Sequence, residues 1–269
     1  MLPNLQQTLN CSNFFSTVLT NEHHTNAASK DVKALEVCLT PALLPLYRVE
    51  DYIVVIIDIF RATSSICYGI ENGAEAIIPV SEVEECAAYR EKGLDYLLAA
   101  ERNGEVVTGF DFGNSPFAYT PEKVAGKTVV LTTTNGTHAL HLSRNAKRIV
   151  IGSFLNITAL CNWLKTQNDN ILLVCAGWKN NFNLEDTLFA GAVIDQLKDG
   201  NYKLDDPALA ANDLFQLGKH DISDYLKKTS HGERLKKLGI EKDIAFCQQI
   251  DLTTAIPVLD GEKLVKLQY

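Results

Sequence analysis

The chain has 269 residues, with 33 Asp and Glu against 25 Lys and Arg, which gives a formal net charge of −8. This acidic balance argues against a nucleic-acid partner, because such proteins concentrate positive charge on their surface. The longest apolar runs, such as 53–57 and 171–176, are far shorter than the roughly 18 residues that a membrane-spanning helix needs. We therefore expect no membrane partner.

Cysteine usage indicates the redox environment. The seven cysteines are scattered singly, and most lie inside apolar runs: Cys11, Cys38, Cys67, Cys86, Cys161, Cys175 and Cys247. This pattern is typical of reduced, buried thiols in a cytoplasmic protein, and it supports neither a disulfide framework nor a zinc site.

The first thirty residues differ in composition from the rest. They are rich in Asn, Thr, Ser and Gln, and they contain no Lys or Arg before Lys30. Residues 1–31 are therefore predicted to form a flexible N-terminal extension rather than a signal peptide. Residues 32–269 are predicted to form the folded domain, which could divide into two halves at about 32–125 and 126–269.

From residue 32 onward, short β-rich runs alternate with helical patterns. Strands are predicted at Ala34–Leu39, Tyr52–Ile57, Ala76–Val80, Tyr96–Ala99, Thr128–Leu131, Arg148–Ile151, Asn170–Cys175 and Ile244–Gln248. Helices are predicted at Thr63–Asn72, Glu82–Lys92, Thr137–Ser143, Ile157–Thr166, Leu184–Lys198, Pro207–Gln216, Ile222–Leu226 and His231–Leu238. Several strands are continuous runs of Val, Ile and Leu, as expected when both faces of a sheet are covered. The alternation predicts an α/β fold in three layers, α/β/α.

A weak internal repeat runs through this pattern. Val54–Tyr89 and Val129–Leu164 both read as strand, loop, helix, strand and helix, and their loops end in Thr63 and Thr137. All βαβ units resemble one another, so the similarity could be generic. If it is real, two similar halves face each other, and a site is expected between them.

The first candidate site segment is DIFRAT, Asp58 to Thr63, directly after the most apolar predicted strand. Open α/β sheets place ligands at the carboxyl ends of their strands. Asp58 offers a hard oxygen ligand and Arg61 an anion-binding fork. The alternative is a structural Asp58–Arg61 pair, with Thr63 as a helix N-cap.

The second segment is AERNGEVVTGFDFGNSP, residues 100–116, which carries several polar side chains among three glycines. Its candidate ligands are Glu101, Arg102, Asp111, Asn114 and Ser115. Glycines permit close backbone approach to an anion, and a long loop in a compact domain usually has a function.

The third segment is TTTNGT, Thr132 to Thr137, which lies between a predicted strand and a predicted helix. Its hydroxyls and the helix N-terminus suit a phosphate or sulfonate group. The loop lacks the Lys of a Walker A motif. Taken alone, its signal is weak.

The fourth segment is the acidic pair Glu185 and Asp186 at the start of a predicted helix. With Asn183 as the N-cap, both acids fall in the first turn, where the helix dipole favours them. A metal-binding role becomes plausible because Asp58 and Asp111 also follow strands, and hard divalent ions require several oxygen ligands.

Together, the strings DIFRAT, ERNG, GFDFGNSP and TTTNGT and the helix with Glu185 and Asp186 resemble the 2-phosphosulfolactate phosphatase family. The resemblance covers roughly Val32 to Val258 in consistent order. It implies a Mg²⁺-dependent enzyme of coenzyme M biosynthesis, which hydrolyses (2R)-2-phospho-3-sulfolactate to 3-sulfolactate and phosphate. It also implies an α/β/α architecture with the site between two similar halves.

The resemblance suggests roles for the residues of these segments. The catalytic candidates are Asp58, Arg61, Glu101, Arg102 and Asp111. The candidates for binding the phosphorylated sulfo-acid are Thr63, Asn114, Ser115, Thr133, Thr134, Asn135, Gly136 and Thr137. The candidate Mg²⁺ ligands are Asp58, Asp111, Glu185 and Asp186.

Two other functions remain open on the sequence. A haloacid-dehalogenase-type phosphatase of another small phosphorylated acid would also place an Asp after its first buried strand, but it needs a second Asp two residues later, where this chain has Phe60. A non-catalytic anion-binding α/β protein would use its Asp and Arg residues for recognition alone. A homodimer is the default expectation for the assembly.

Overall fold

The computed structural model describes residues 32–92, 95–102 and 104–269, so the predicted extension at 1–31 lies outside the described residues. The strands are β1 Lys33–Cys38, β2 Tyr52–Ile57, β3 Ala76–Pro79, β4 Tyr96–Arg102, β5 Glu105–Val106, β6 Thr128–Thr132, β7 Arg148–Gly152, β8 Asn170–Cys175, β9 Tyr202–Leu204, β10 Pro257–Asp260 and β11 Lys263–Lys266. The helices are α1 Ala62–Glu71, α2 Val83–Ala88, α3 Pro121–Val124, α4 Gly136–Leu142, α5 Ile157–Lys165, α6 Leu184–Leu197, α7 Asp206–Gly218, α8 Ile222–Leu226, α9 Ser230–Lys237 and α10 Glu241–Cys247. Short 3₁₀ helices occur at Pro41–Leu46, Val49–Asp51, Tyr89–Lys92, Pro116–Ala118 and Phe154–Asn156.

The strands form one sheet in the order β5-β4-β6-β3-β11-β10-β7-β2-β8-β1-β9. Strands β4, β6 and β3 form one parallel block, and β7, β2, β8, β1 and β9 form another. The antiparallel hairpin β10–β11 lies between the blocks and pairs with β7 and β3. The sheet is therefore mixed.

Alternate side chains of β2 show that helices cover both faces of the sheet. Ile53, Val55 and Ile57 belong to an apolar cluster that includes residues of α5 and α6. Val54 and Ile56 belong to a second cluster that includes residues of α1 and α4. Since successive side chains of a strand point to opposite faces, the three-layer α/β fold is confirmed.

The structure corrects one predicted strand and adds four. Ile244–Gln248 is not a strand but lies largely in α10, where Asp243 and Cys247, four residues apart, are both buried. That spacing puts the two side chains on one helix face. The strands that the sequence pattern does not predict are β5, β9 and the hairpin β10–β11.

The two proposed halves share this sheet rather than forming separate domains. Strand β2 pairs with β7, and β3 pairs with β6, so each repeat unit contributes one strand to each block. An equivalent hydrogen bond occurs in each loop. The Asp58 N–H donates to Thr63 Oγ1 over 3.1 Å, and the Thr133 N–H donates to Thr137 Oγ1 over 3.3 Å. This shared feature supports the internal repeat.

The cysteine side chains that the structure describes are buried, as their apolar neighbours in the sequence predict. The six cysteines in the described part of the chain are buried and form no disulfide among themselves. Among the described residues, no helix combines the length and the apolar character needed to cross a membrane.

Candidate active site

A small polar pocket lies where the loops after β2 and β6 meet, and we call it the central pocket. It is lined by Asp58, Phe60, Arg61, Glu101, Gly104, Asn114, Thr133, Thr134, Asn135, Trp178, His231, Arg234 and Leu235. Seven of these are predicted site residues: Asp58, Arg61, Glu101, Asn114, Thr133, Thr134 and Asn135. The first three candidate segments therefore all contribute residues to this pocket.

Asp58 is the buried carboxylate of the loop after β2, with 7% of its surface exposed. Burial raises the pKa of Asp58 to about 7, and the nearby Glu101 and Glu185 carboxylates add to this rise. Carboxylates held this close repel one another when they are ionised. A cation bound among them would therefore relieve a real electrostatic cost.

The loop after β6 packs directly against Asp58. A Cβ atom at Gly136 would lie 2.9 Å from Asp58 Oδ2 and 3.0 Å from the Ala62 Cβ, so this contact requires glycine. Thr137 braces the loop, because its hydroxyl also donates to the Thr133 carbonyl over 2.8 Å. The Thr133–Asn135 backbone is therefore fixed beside the carboxylate.

Arg61 does not pair with Asp58, contrary to the structural alternative considered from the sequence. Its Nη1 forms a buried ion pair with Asp243, and its Nη2 donates to the Gly104 carbonyl over 3.0 Å. Asp243 also accepts a hydrogen bond from Ser115 Oγ over 3.1 Å. Ser115 therefore orients Arg61 through Asp243 and does not line the pocket itself.

The end of β4 supplies the second carboxylate of the central pocket. Glu101 is 8% exposed and accepts a hydrogen bond from the Gly104 N–H. Gly104 has φ = 94°, a conformation that glycine tolerates and that returns the chain towards β5. The turn thereby fixes the Glu101 side chain.

Arg102 and Thr137 line a neighbouring cavity with Thr133 and Thr134 instead of the central pocket. The Arg102 guanidinium donates to the Glu101 carbonyl over 2.8 Å and to Thr132 Oγ1 over 3.2 Å. Thr63 is buried and holds the Asp58 backbone rather than facing the pocket.

Two predicted metal ligands are placed unfavourably for that role. Asp111 is exposed, and its carboxylate accepts a hydrogen bond from the Leu98 N–H and pairs with Arg90. Asp186 is fully buried, and its two oxygens accept hydrogen bonds from the N–H groups of Ile59 and Gly177 and from the Asn183 amide. Burial, with repulsion from Asp58 and Glu185, raises the pKa of Asp186 well above its ordinary value. Asp186 therefore stabilises the loop after β2, and Asp111 does not line the central pocket.

Glu185 is also fully buried, and it contacts His231, a residue that none of the sequence motifs indicates. One carboxylate oxygen is hydrogen-bonded to His231 Nδ1, and the other has no hydrogen-bond partner among the described residues. Glu185 does not line the central pocket; it lines an adjoining cavity together with His231 and Arg234.

Four site residues were missed from the sequence: Trp178, His231, Arg234 and Asp243. His231 stacks on Trp178 with ring centroids 6.4 Å apart, and the Arg234 guanidinium lies 5.0 Å from the Trp178 ring. The basic character of α9 was a visible signal. The approach of α9 to Asp58 could not be read from the sequence, because the two segments are far apart along the chain.

Buried polar atoms in the pocket wall are available to a ligand. Asn114 Oδ1 and Arg61 Nε are buried and make no hydrogen bond within the described part of the chain. Buried polar groups normally have a partner, so each marks a position that a bound ion, water or substrate can satisfy.

An α/β sheet whose loops bring carboxylates, arginines and threonine hydroxyls into one pocket has the parts of an enzyme acting on small phosphoesters. The sequence model of the 2-phosphosulpholactate phosphatase family matches residues 38–262. The chain therefore belongs to this family, and the resemblance read from its motifs is confirmed.

Curated relatives agree with the family match. The chain is 44% identical over 217 residues to the probable 2-phosphosulfolactate phosphatase of Thermotoga petrophila, an alignment that covers 81% of this chain and 93% of the relative. It is 41% identical over 210 residues to the protein of the same name from Caldanaerobacter subterraneus, with 77% and 87% covered. The corresponding protein of Gloeobacter violaceus is 38% identical over 221 residues, with 81% and 92% covered.

Proposed function

We propose that the protein hydrolyses the phosphate ester of (2R)-2-phospho-3-sulfolactate to 3-sulfolactate and phosphate. The observation that carries this proposal is the central pocket, where the carboxylates of Asp58 and Glu101 lie beside Arg61, Arg234 and the loop that begins at Thr133. The family match and the names of the curated relatives support the choice of substrate.

Mg²⁺ is the proposed cofactor, and the donor set fits it. Asp58 and Glu101 both line the central pocket, and the unpartnered Oδ1 of Asn114 adds a neutral oxygen. Within the described ranges, no three His, Cys, Asp or Glu side chains form a metal site. Mg²⁺ usually takes only one or two carboxylates and completes its shell with waters and substrate phosphate. We therefore propose Asp58 and Glu101 as its protein ligands, and neither Asp111 nor Asp186.

The remaining pocket residues complement the negative charge of the substrate. When bound, Mg²⁺ neutralises charge on the transferring phosphoryl group and lowers the pKa of a coordinated water. Arg61 is held rigid by Asp243 and the Gly104 carbonyl, so its unpartnered Nε–H is preorganised for an oxyanion. The hydroxyls of Thr133 and Thr134 offer additional donors.

Asp58 is proposed to hold the metal rather than to form an aspartyl-phosphate. Aspartyl-phosphate phosphatases of the haloacid-dehalogenase type use a second Asp two residues further along as general acid, and Phe60 occupies that position in the pocket wall. A water nucleophile therefore fits this loop better.

We also propose a cytoplasmic location, a role in coenzyme M biosynthesis and a homodimeric assembly. The six buried cysteines support a reducing compartment. The pathway follows from the proposed substrate, and the homodimer from the prevalence of two-fold symmetric assemblies.

Substrate profiling tests the proposed reaction. Phosphate release would be measured for 2-phospho-3-sulfolactate, 2-phospholactate, 2-phosphoglycolate and phosphoserine, each with and without EDTA. We expect the highest kcat/KM for the sulfonated substrate and loss of turnover in EDTA. Release of phosphate from none of these acids would exclude the enzyme and favour a non-catalytic anion-binding protein.

A further inference from the structure

We propose that Arg234 binds the sulfonate group of the substrate, and that Glu185, His231 and Trp178 hold its guanidinium in place. This inference rests on the proposed function, because it names the side chain that recognises one end of the proposed substrate.

The position of Arg234 is the first argument. Arg234 lines both the central pocket and the adjoining cavity, so it stands at the boundary between them. Asp58 and Glu101 line the central pocket but not the adjoining cavity. A phosphate dianion can approach these carboxylates only with a metal ion, whereas a sulfonate needs direct cationic donors away from them.

The hydrogen bonds around His231 are the second argument. The buried Glu185 carboxylate accepts the hydrogen bond of His231 Nδ1–H, which leaves a lone pair on Nε2. Arg234 Nη2 donates to this Nε2 over 3.2 Å. Glu185 therefore fixes the His231 tautomer that can receive the guanidinium.

Trp178 provides the third restraint. The Arg234 guanidinium lies over its ring at 5.0 Å, and the His231 ring stacks on the same side chain. Trp178 is in turn tied to the loop after β6, because the N–H of its neighbour Lys179 donates to Asn135 Oδ1 over 3.0 Å. A guanidinium held on an aromatic face and by a hydrogen bond loses little side-chain entropy when an anion binds.

The other two arginines near the site are placed differently. Arg61 is paired with Asp243, and it donates to the Gly104 carbonyl. Arg102 donates to the Glu101 carbonyl and to Thr132 Oγ1 and does not line the central pocket. Of these three arginines, Arg234 is the one that lines both the central pocket and the adjoining cavity, and its guanidinium fork suits the oxygens of a sulfonate.

Paired substrates test this role. 2-Phospholactate has the same phosphate and carboxylate as 2-phospho-3-sulfolactate but lacks the sulfonate. We expect Arg234→Gln to lower kcat/KM for the sulfonated substrate by roughly 10–100-fold, mainly by raising KM. The same substitution should change kcat/KM for 2-phospholactate by less than about 3-fold. Arg234→Lys keeps the charge but not the fork and should recover only part of the loss. Lys237→Gln, an exposed change on the same helix, is the matched control.

A double-mutant cycle tests the positioning residues. Glu185→Gln should lower the preference for the sulfonated substrate, and the double variant with Arg234→Gln should lose no more preference than Arg234→Gln alone. Additive losses, or equal losses for both substrates, would contradict positioning through Arg234.

Binding of the product separates this inference from the proposed reaction. The affinity for 3-sulfolactate, measured calorimetrically, should fall roughly 10–100-fold in Arg234→Gln and stay unchanged in Lys237→Gln. If the wild-type protein binds 3-sulfolactate but does not hydrolyse its phosphate ester, the proposed function fails while the role of Arg234 stands. If folded Arg234→Gln and Arg234→Lys proteins bind 3-sulfolactate as tightly as the wild type, the inference is wrong.

Discussion

Replacing Asp58 by Asn should stabilise the metal-free protein while abolishing its activity. The pKa of Asp58 rises from the ordinary 3.8 to about 7, first because the carboxyl is buried and then because Glu101 and Glu185 are near. Between these two pH values the folded state holds a proton that the unfolded state has released. The free energy of unfolding must therefore fall as the pH rises through this window, and the loss is complete above about pH 8.

The pKa difference sets the size of the effect. At 1.36 kcal/mol per pH unit, the full penalty of the ionised Asp58 is about 4 kcal/mol as an upper bound. Asparagine removes the charge and retains an oxygen acceptor. We expect the stability advantage of Asp58→Asn over the wild type to grow by about 2–3 kcal/mol between pH 5 and pH 8.5 in EDTA.

Urea unfolding at both pH values, with and without Mg²⁺, measures this effect. Added Mg²⁺ should stabilise the wild type, by about 2.7 kcal/mol at one hundred times its Kd, and should not stabilise Asp58→Asn. Turnover of the variant should fall by roughly 10²–10³. The matched control is Asp111→Asn, an exposed carboxylate that should retain the Mg²⁺ response. Burial of an ionised Asp58 is not costly if Asp58→Asn is less stable than the wild type at pH 8.5, or if the difference in stability is the same at both pH values.

Two further substitutions test other parts of the site. Asp243→Ala leaves Arg61 buried without its ionic partner and should reduce the free energy of unfolding by about 3–5 kcal/mol. The control is Asp95→Ala, which breaks an exposed pair with Lys127 and should reduce the free energy of unfolding by less than about 1 kcal/mol. Urea unfolding compares the two, and equal losses would contradict the buried pair. Gly136→Ala places a Cβ atom 2.9 Å from Asp58 Oδ2, so it should lower kcat/KM by roughly 10-fold or more while the far-ultraviolet circular dichroism stays unchanged. A fully active Gly136→Ala protein would show that this contact does not matter.

The pattern of apolar residues predicts an element correctly where the whole element has one kind of environment, such as a strand covered on both faces. Strand β2 was predicted with its observed ends, because a continuous run of Val and Ile is typical of a strand covered on both faces. The hairpin β10–β11 was missed although Asp260 and Gly261 form a turn signal between apolar residues. The segment around Ile244 was assigned as a strand because its apolar residues are compatible with either period, and only its packing decides for the helix.

The site was predictable where its residues follow strands and not where they come from distant helices. Asp58, Glu101 and Thr133 lie at or just beyond the ends of β2, β4 and β6, and the loops converge. Asp111 was also expected in the site, but its carboxylate accepts hydrogen bonds from the Leu98 N–H and from Arg90 and lies outside the pocket. His231 and Arg234 could not be found by sequence spacing, since helix α9 reaches the pocket only through tertiary packing.

Metal-dependent hydrolysis in the central pocket is tested most directly by the initial rate of phosphate release from 2-phospho-3-sulfolactate by EDTA-treated protein, before and after Mg²⁺ is added back. The pocket geometry predicts no release without metal, release restored by Mg²⁺ in the wild type and in Asp111→Asn, and almost none in Asp58→Asn. Full turnover in EDTA, or equal turnover by the wild type and Asp58→Asn once Mg²⁺ is restored, would contradict the account.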